Sequence, residues 1–324
     1  MSIVRNELGK IRILVCDHRG EGALQLARAL RSSDRQLEFS QTLRQSLDRL
    51  RRTRADLIVL DPITDAGLHE LEALDRARQK PTLVPLLLVR DTGLDPNWRR
   101  ATLAVRAPAW DMVGRDATPE EVRRRAERLI AETQLHREVS DLRHRASHDD
   151  RTDLLRPRSF QSRLAEHFSA AQRHGLPLTL ALVDLDNFGM VNKQFDHTVG
   201  DELIARVGGA IRRLLRAEDV AGRLGGDEFA VLLPFTAPSD AAAVVERLRA
   251  EIADLSTKSL GNGNAPVRVS GSIGYAHYDG TNLTTEEQLR KRSEEALRRA
   301  KTSGGDQAIC FDDETLAPAG ESVG

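Results

Sequence analysis

From Thr118 to Ser147 the chain runs without a glycine, and its single proline, Pro119, stands at the start of the run. Such a segment reads as one helix. Thr118 is placed to cap it, Glu121 follows three residues on, and Pro119 takes the first helical position, where its missing N–H costs no bond. Leu135, Val139, Leu142 and Ala146 recur at spacings of four, three and four on an otherwise polar text, which is the pattern of a short coiled-coil seam. An amphipathic helix lying on its own domain is the plainer alternative. A chain of 324 residues is also longer than one compact core holds. The run therefore divides the protein: a first domain over 1–118, a linker helix over 119–147 that pairs two copies, a second domain over 148–312, and a disordered tail over 313–324.

The first domain reads as α/β. Residues 11–16, IRILVC, form an apolar strand that ends at Asp17, and residues 20–31 carry apolar side chains at helical spacing. DLIVLD ends at Asp61, and VPLLLV runs up to Arg90. Apolar strands alternating with helices predict a doubly wound parallel sheet covered on both faces. Ligands gather at the carboxyl ends of such strands, where Asp17 and Asp61 fall.

The second domain reads as helix 157–173, strand 178–184, helix 199–216, strands 219–224 and 229–233, helix 239–254, strand 267–277, helix 285–302 and a last strand near 307–311. This order predicts a mixed sheet with one antiparallel hairpin at its centre. SLGNGNAP, residues 259–266, reads as a loop. LALVDLDNF places Asp184 and Asp186 two apart at a strand end, hence on one face. The hairpin tip holds Gly225, Gly226, Asp227 and Glu228. If that hairpin pairs beside the Asp184 strand, three or four carboxylates converge on one sheet edge, an arrangement that needs a cation such as Mg²⁺. Glycines at the tip would let backbone approach a phosphate or ribose. Taken alone, the same four residues are a tight turn with solvated acids.

Bulk properties narrow the classes. A formal net charge of −1 gives no reason to expect nucleic acid or an anionic membrane as partner. Two distant cysteines, Cys16 and Cys310, make no disulfide framework, which suits a reducing compartment. The longest apolar run, Leu83 to Val89, is interrupted by Pro85 and is too short to span a bilayer. The N-terminus MSIVRNELGK lacks an apolar signal core. A cytoplasmic protein without membrane insertion is expected.

GRLGGDEF at 222–229 resembles the signature of the GGDEF family, the diguanylate cyclases, and the resemblance runs over about 148–312. LVDLDNF (182–188) looks like the family's metal-binding strand, and NKQFDHTVGD (192–201) is similar to its guanine-binding segment. RAED (216–219) matches its inhibitory product site, with five residues between it and Gly225. DDRTDLLRPRSF (149–160) resembles a worn opening motif, while SGSIGYA (270–276) and EEALRRAKTSG (294–304) resemble late ones. The resemblance implies a palm-like fold in which two subunits each bind GTP and close cyclic di-GMP with release of pyrophosphate. It implies Mg²⁺ or Mn²⁺ on Asp184, Asp227 and the Leu185 carbonyl. Glu228 would assist the metal or the attacking hydroxyl, and Lys301 would neutralise the distal phosphates. Asn192 and Asp201 would read the guanine edge, with Phe188 and Gly226 lining the substrate site. Arg216 and Asp219 would bind product as an allosteric ligand; their plainer reading is a surface pair near a helix end.

Two departures bear on catalysis. The family pattern has Lys where this chain has Gly189, and Arg where it has Gly305. The alternative to a working cyclase is therefore a weak or inactive GGDEF receptor that binds cyclic di-GMP and signals through protein contacts. The N-terminal domain more weakly resembles a response-regulator receiver, with Asp61 as phosphoacceptor beside Asp17 and a sensor histidine kinase as upstream partner. In that pattern Cys16 replaces an acid, Arg90 replaces Ser or Thr, and Arg115-Asp116 replaces Lys-Pro. Phosphorylation is one expectation. A permanent pairing of Asp61 with Arg90 or Arg115 is the other.

Overall fold

The computed structural model describes residues 10–312 except 19, 21, 22, 54, 62–66, 80–82, 91–104, 106, 196 and 256–268. The expected tail 313–324 and the expected loop 259–266 lie outside the described residues. Two compact units divide the chain, Met1–Asp141 and Leu142–Gly324.

In the first unit β1 (Ile11–Asp17), α1 (Ala23–Ala29), β2 (Arg35–Ser40), α2 (Leu43–Arg52), β3 (Leu57–Asp61), α3 (Gly67–Ala77), β4 (Leu86–Arg90) and β5 (Trp110–Gly114) follow in order. The strands form one parallel sheet in the order β2-β1-β3-β4-β5. β3 is buried along its whole length, as a strand covered on both faces must be. Ile13, Val15, Leu57 and Val59 pack with α1 on one face, while Leu14, Ile58 and Leu60 pack with Leu71 and Leu74 of α3 on the other. The order reverses between β1 and β3, and Asp17 faces Asp61 in register at their carboxyl ends.

One helix, α4 (Pro119–Ser147), runs through the whole glycine-free segment and past the division between the units. Its start is capped as the sequence predicts, with Glu121 N–H donating to Thr118 Oγ1 at 3.3 Å. The Glu121 carboxylate does not reach back; it takes Arg125 at 2.9 Å. Val122, Ala126, Leu129 and Ile130 are buried in the first unit, whereas Leu135 and Leu142 of the seam are 60% and 55% exposed.

The second unit holds α5 (Pro157–His174), β6 (Leu178–Asp186), α6 (Phe188–Phe195), α7 (His197–Leu214), β7 (Val220–Arg223), β8 (Glu228–Pro234), α8 (Pro238–Leu255), β9 (Ser270–Tyr278), α9 (Glu286–Thr302) and β10 (Ala308–Cys310). Its mixed sheet has the order β10-β9-β6-β8-β7. The hairpin β7–β8 thus lies at one side of the sheet, not at its centre as the sequence suggests. β6 takes the centre because it is apolar on both faces: Ala181, Val183 and Leu185 enter the core beneath α7 and α8, and Leu180 and Leu182 enter the one beneath α5. β7 buries only alternate residues, and its outer edge is closed by Leu155, which exchanges backbone bonds with Ala221 and Arg223. α6 is a helix the sequence reading does not foresee. No helix among the described residues is long and apolar enough to cross a membrane.

Candidate active site

β6 and β8 pair antiparallel, with Asp184 opposite Glu228. The hairpin closes by Leu224 N–H donating to the Glu228 carbonyl at 2.8 Å, leaving Gly225, Gly226 and Asp227 as its tip. Leu185 N–H donates to the Asp227 carbonyl at 3.2 Å, which fastens the tip to the end of β6. Gly226 is exposed with open space where a side chain would stand. The sequence-derived acids Asp184, Asp227 and Glu228 are therefore brought to one sheet edge.

Their roles separate there. Asp184 is buried, and burial pushes its carboxyl above the ordinary range, with the charges of Asp227 and Asp186 acting in the same direction and Lys301 opposing them. Lys301, at the end of α9, holds Asp184 Oδ2 at 2.5 Å. Asp186 shares the Asp184 face but is engaged elsewhere: Ser270 Oγ and Ser272 Oγ each donate to it at 2.7 Å, and Asp306 N–H donates at 2.9 Å. The register brings Asp184, Asp227 and Glu228 to one edge as expected, and the correction concerns how closely they group. Among the described residues no three His, Cys, Asp or Glu side chains group closely enough to hold a metal ion by themselves, because Asp186 is spent on β9 and Glu228 stays exposed. The donors that remain at the edge, the Asp184 and Asp227 carboxylates and the Leu185 carbonyl, are hard oxygens whose crowded charge suits Mg²⁺ or Mn²⁺.

Two contacts escape sequence reading. Arg223 donates to the carbonyls of Gly225 at 3.1 Å and Gly226 at 2.8 Å, and its other end pairs with Asp149 at 3.1 Å. The tip is thus fixed to the segment that precedes α5. Burial opposes ionisation of Asp149, but Thr152 donors and Arg223 outweigh it and hold the carboxyl below its usual range. Arg151, in the same segment, pairs with Asp201 at 2.8 Å. Asp149 and Arg151 both belong to the DDRTDLL motif, whose sequence marks them without revealing their partners.

Asn192 and Asp201 come from the two helices after β6. A Cβ on Gly200 would stand 2.0 Å from Asn192 Oδ1 and 3.2 Å from the Phe188 ring, so only glycine lets the amide and the half-buried ring lie there. Arg216 and Asp219 form the turn between α7 and β7, where Arg216 N–H donates to Asp219 Oδ2 at 2.8 Å. Burial and the neighbouring Glu218 hold the Asp219 carboxyl above its usual range, against that backbone donor. The Arg216 side chain is exposed.

Of the two family departures, Gly189 is exposed with nothing near it. Gly305 is different: its φ is +75°, and a Cβ would stand 3.1 Å from the Asp186 carboxylate. The loop after α9 is built on glycine there, with Gly304 also left-handed at +113°.

In the first unit Asp61 is 1% exposed and takes Arg115 in two contacts of 2.8 Å each. Arg90 is exposed, so of the two arginines it is Arg115 that meets the acid. Asp17 is buried and accepts from Gly20 N–H at 2.9 Å.

Two acids, a lysine and a glycine turn on one sheet edge are the components of a site that handles phosphate groups. The comparison with known families is specific: residues 146–307 match the model described as "Diguanylate cyclase, GGDEF domain", and the chain belongs to that family. It is 30% identical over 247 residues to the response regulator PleD of Caulobacter vibrioides, covering 74% of this chain and 52% of that one. It is 34% identical over 172 residues to the diguanylate cyclase DgcP of Pseudomonas aeruginosa, covering 53% of this chain and 25% of that one. The chain thus spans between a quarter and about half the length of these curated relatives. The solved coiled coil and GGDEF domain of DgcB from Caulobacter crescentus, in complex with c-di-GMP, is similar with a TM-score of 0.52 and 25% identity over 58% of this chain and 97% of that one.

Proposed function

We propose that the second unit condenses two GTP molecules into cyclic di-GMP across a pair of subunits, releasing two pyrophosphates. The observation that carries this reading is the Asp184–Lys301 pair beside the acids of the glycine tip. Asp184, Asp227 and the Leu185 carbonyl would hold Mg²⁺ or Mn²⁺, which when bound would polarise the reacting phosphate and offset its charge. Glu228, exposed at the tip, would accept the proton of the attacking 3′-hydroxyl. Lys301, released from Asp184, would turn its ammonium to the distal phosphates. Asn192 and Asp201 would select the base, Phe188 would support them, and Gly226 would leave room for ribose and phosphate. One GTP per subunit makes a homodimer necessary, and the exposed Leu135–Leu142 seam offers a place for it. Cyclic di-GMP on Arg216 and Asp219 would provide feedback. For the first unit we propose that Arg115 holds the Asp61 site in one state without a phosphoryl group; Arg115→Ala would be needed before acetyl phosphate could add mass to Asp61.

The second reading, a receptor for cyclic di-GMP without turnover, is favoured by Gly305, where the arginine of the family pattern is absent and a side chain would meet left-handed backbone and the Asp186 carboxylate. Nucleotide chromatography after incubation with GTP and Mg²⁺ decides between them. Cyclic di-GMP is expected from the wild type or from Arg216→Ala, which removes product inhibition, and not from Asp227→Ala. No product from either active-site-intact protein, with cyclic di-GMP binding that Arg216→Ala removes, would establish the receptor instead.

A further inference from the structure

Arg151 lies in the segment before α5, and Asp201 lies in the first two turns of α7. Arg151 Nη2 lies 2.8 Å from Asp201 Oδ2 as an ion pair, and about half of each side chain remains exposed. Asp201 Oδ1 and the other guanidinium N–H groups have no partner among the described residues. Asn192 packs closely against Gly200, the residue that precedes Asp201 in the chain. The pair therefore presents an open acceptor beside open donors. A carboxylate can only accept and a guanidinium can only donate, so this order is fixed at any neutral pH.

Guanine carries the matching set on one edge, N1–H and N2–H₂ donors beside the O6 acceptor. Adenine has the reverse at the corresponding positions, a ring nitrogen acceptor beside the N6–H₂ donor. We propose that Arg151 is a base-reading residue: Asp201 accepts from N1–H and N2–H₂ while Arg151 donates to O6, and the pair repels adenine at both positions. This rests on the reading of GTP as substrate. A matched contact of this kind is worth roughly tenfold or more in discrimination, and the exposure of the pair puts it at the low end.

The test is equilibrium binding to the full chain carrying Arg216→Ala, so that the product site does not contribute. The probes are a GTP analogue with a non-cleavable α,β linkage, its 6-thioguanine form, whose sulfur accepts poorly, and its adenine form. Arg151→Leu is expected to weaken the guanine probe about tenfold, to leave the 6-thioguanine probe unchanged, and to narrow the guanine–adenine ratio. Arg151→Lys, which keeps one donor and the charge, should fall between. Equal or tighter binding of the guanine probe by Arg151→Leu would overturn the inference, since Arg151 would then block Asp201 instead of reading the base beside it. If the parent binds none of the probes, the GTP reading itself fails and takes this one with it. A parent that binds the guanine probe while Arg151→Leu loses nothing refutes only the role of Arg151.

Discussion

Each unit places a buried acid near the end of an inner strand and answers it with a basic side chain, but the two do so in opposite ways. In the first, Arg115 grips Asp61 with two nitrogens on two oxygens, and the acid is 1% exposed. In the second, Lys301 touches Asp184 through one ammonium, and the lysine side chain is 42% exposed. A planar guanidinium in a bidentate pair is fixed by geometry and is costly to separate. An ammonium on a flexible stem makes one contact that a competing cation or phosphate can exchange. The first arrangement suits a settled structural centre, the second a site that must open and refill.

The sharpest test of that contrast is to remove each cation. Lys301→Ala should lower cyclic di-GMP formation by about 10² to 10³, the range for losing one preorganised charge contact, in a single-turnover assay. Its unfolding free energy in urea should move by no more than about 1 kcal/mol, because the lysine is partly exposed. Arg115→Ala should show the reverse emphasis. It leaves Asp61 buried and uncompensated, at about 2 to 3 kcal/mol of stability in the same urea titration, below the usual cost of breaking such a pair because Arg115 is partly exposed. If both variants lose activity without losing stability, the distinction between the sites collapses.

Two carboxylates refine the comparison through pH. Asp149 has its carboxyl held below the ordinary value of 3.8, so its contribution to folding is present above that value and fades as pH falls through the folded pKa. Asp149→Asn should therefore destabilise the protein at pH 7, by about 1 kcal/mol, and match wild type in strong acid. Asp184 has its carboxyl held above 3.8, so its charged form opposes folding once pH rises through the folded pKa. Asp184→Asn should raise stability at pH 7 without divalent cation, by about 0.5 kcal/mol, and lose that gain as pH falls below the ordinary carboxyl range. Thermal unfolding of both variants across pH reads the two opposite slopes.

Much of the second site was legible because its residues are local in sequence. The tip 225–228 and the strand end at Asp184 could be paired from their apolar flanks, and the capped, glycine-free run at Thr118 fixed α4. Sheet order was not legible, since whether β8 or β6 is central depends on which strand is apolar on both faces, and short apolar runs look alike. α6 was hidden because it follows β6 after one residue, Asn187, whose backbone is left-handed at φ +56° and not in the extended form of an N-cap, so FGMVNKQF reads as a continuation of the strand. Partners of charged side chains were the least legible of all. Nothing in the text separates Arg115 from Arg90 at Asp61, or says that Arg223 reaches back to Asp149, because such pairs depend on where loops end in space.

Gly305 has a consequence for how this sequence can change. Its left-handed backbone and the Asp186 carboxylate 3.1 Å from a would-be Cβ mean that an arginine placed there meets strain and crowding before it meets any phosphate. The Asp186 carboxylate, which accepts from Ser270, Ser272 and the Asp306 N–H, would have to shift to admit it. Of the two absent cations, the arginine therefore carries a structural cost at Gly305, whereas a lysine at Gly189 meets open space.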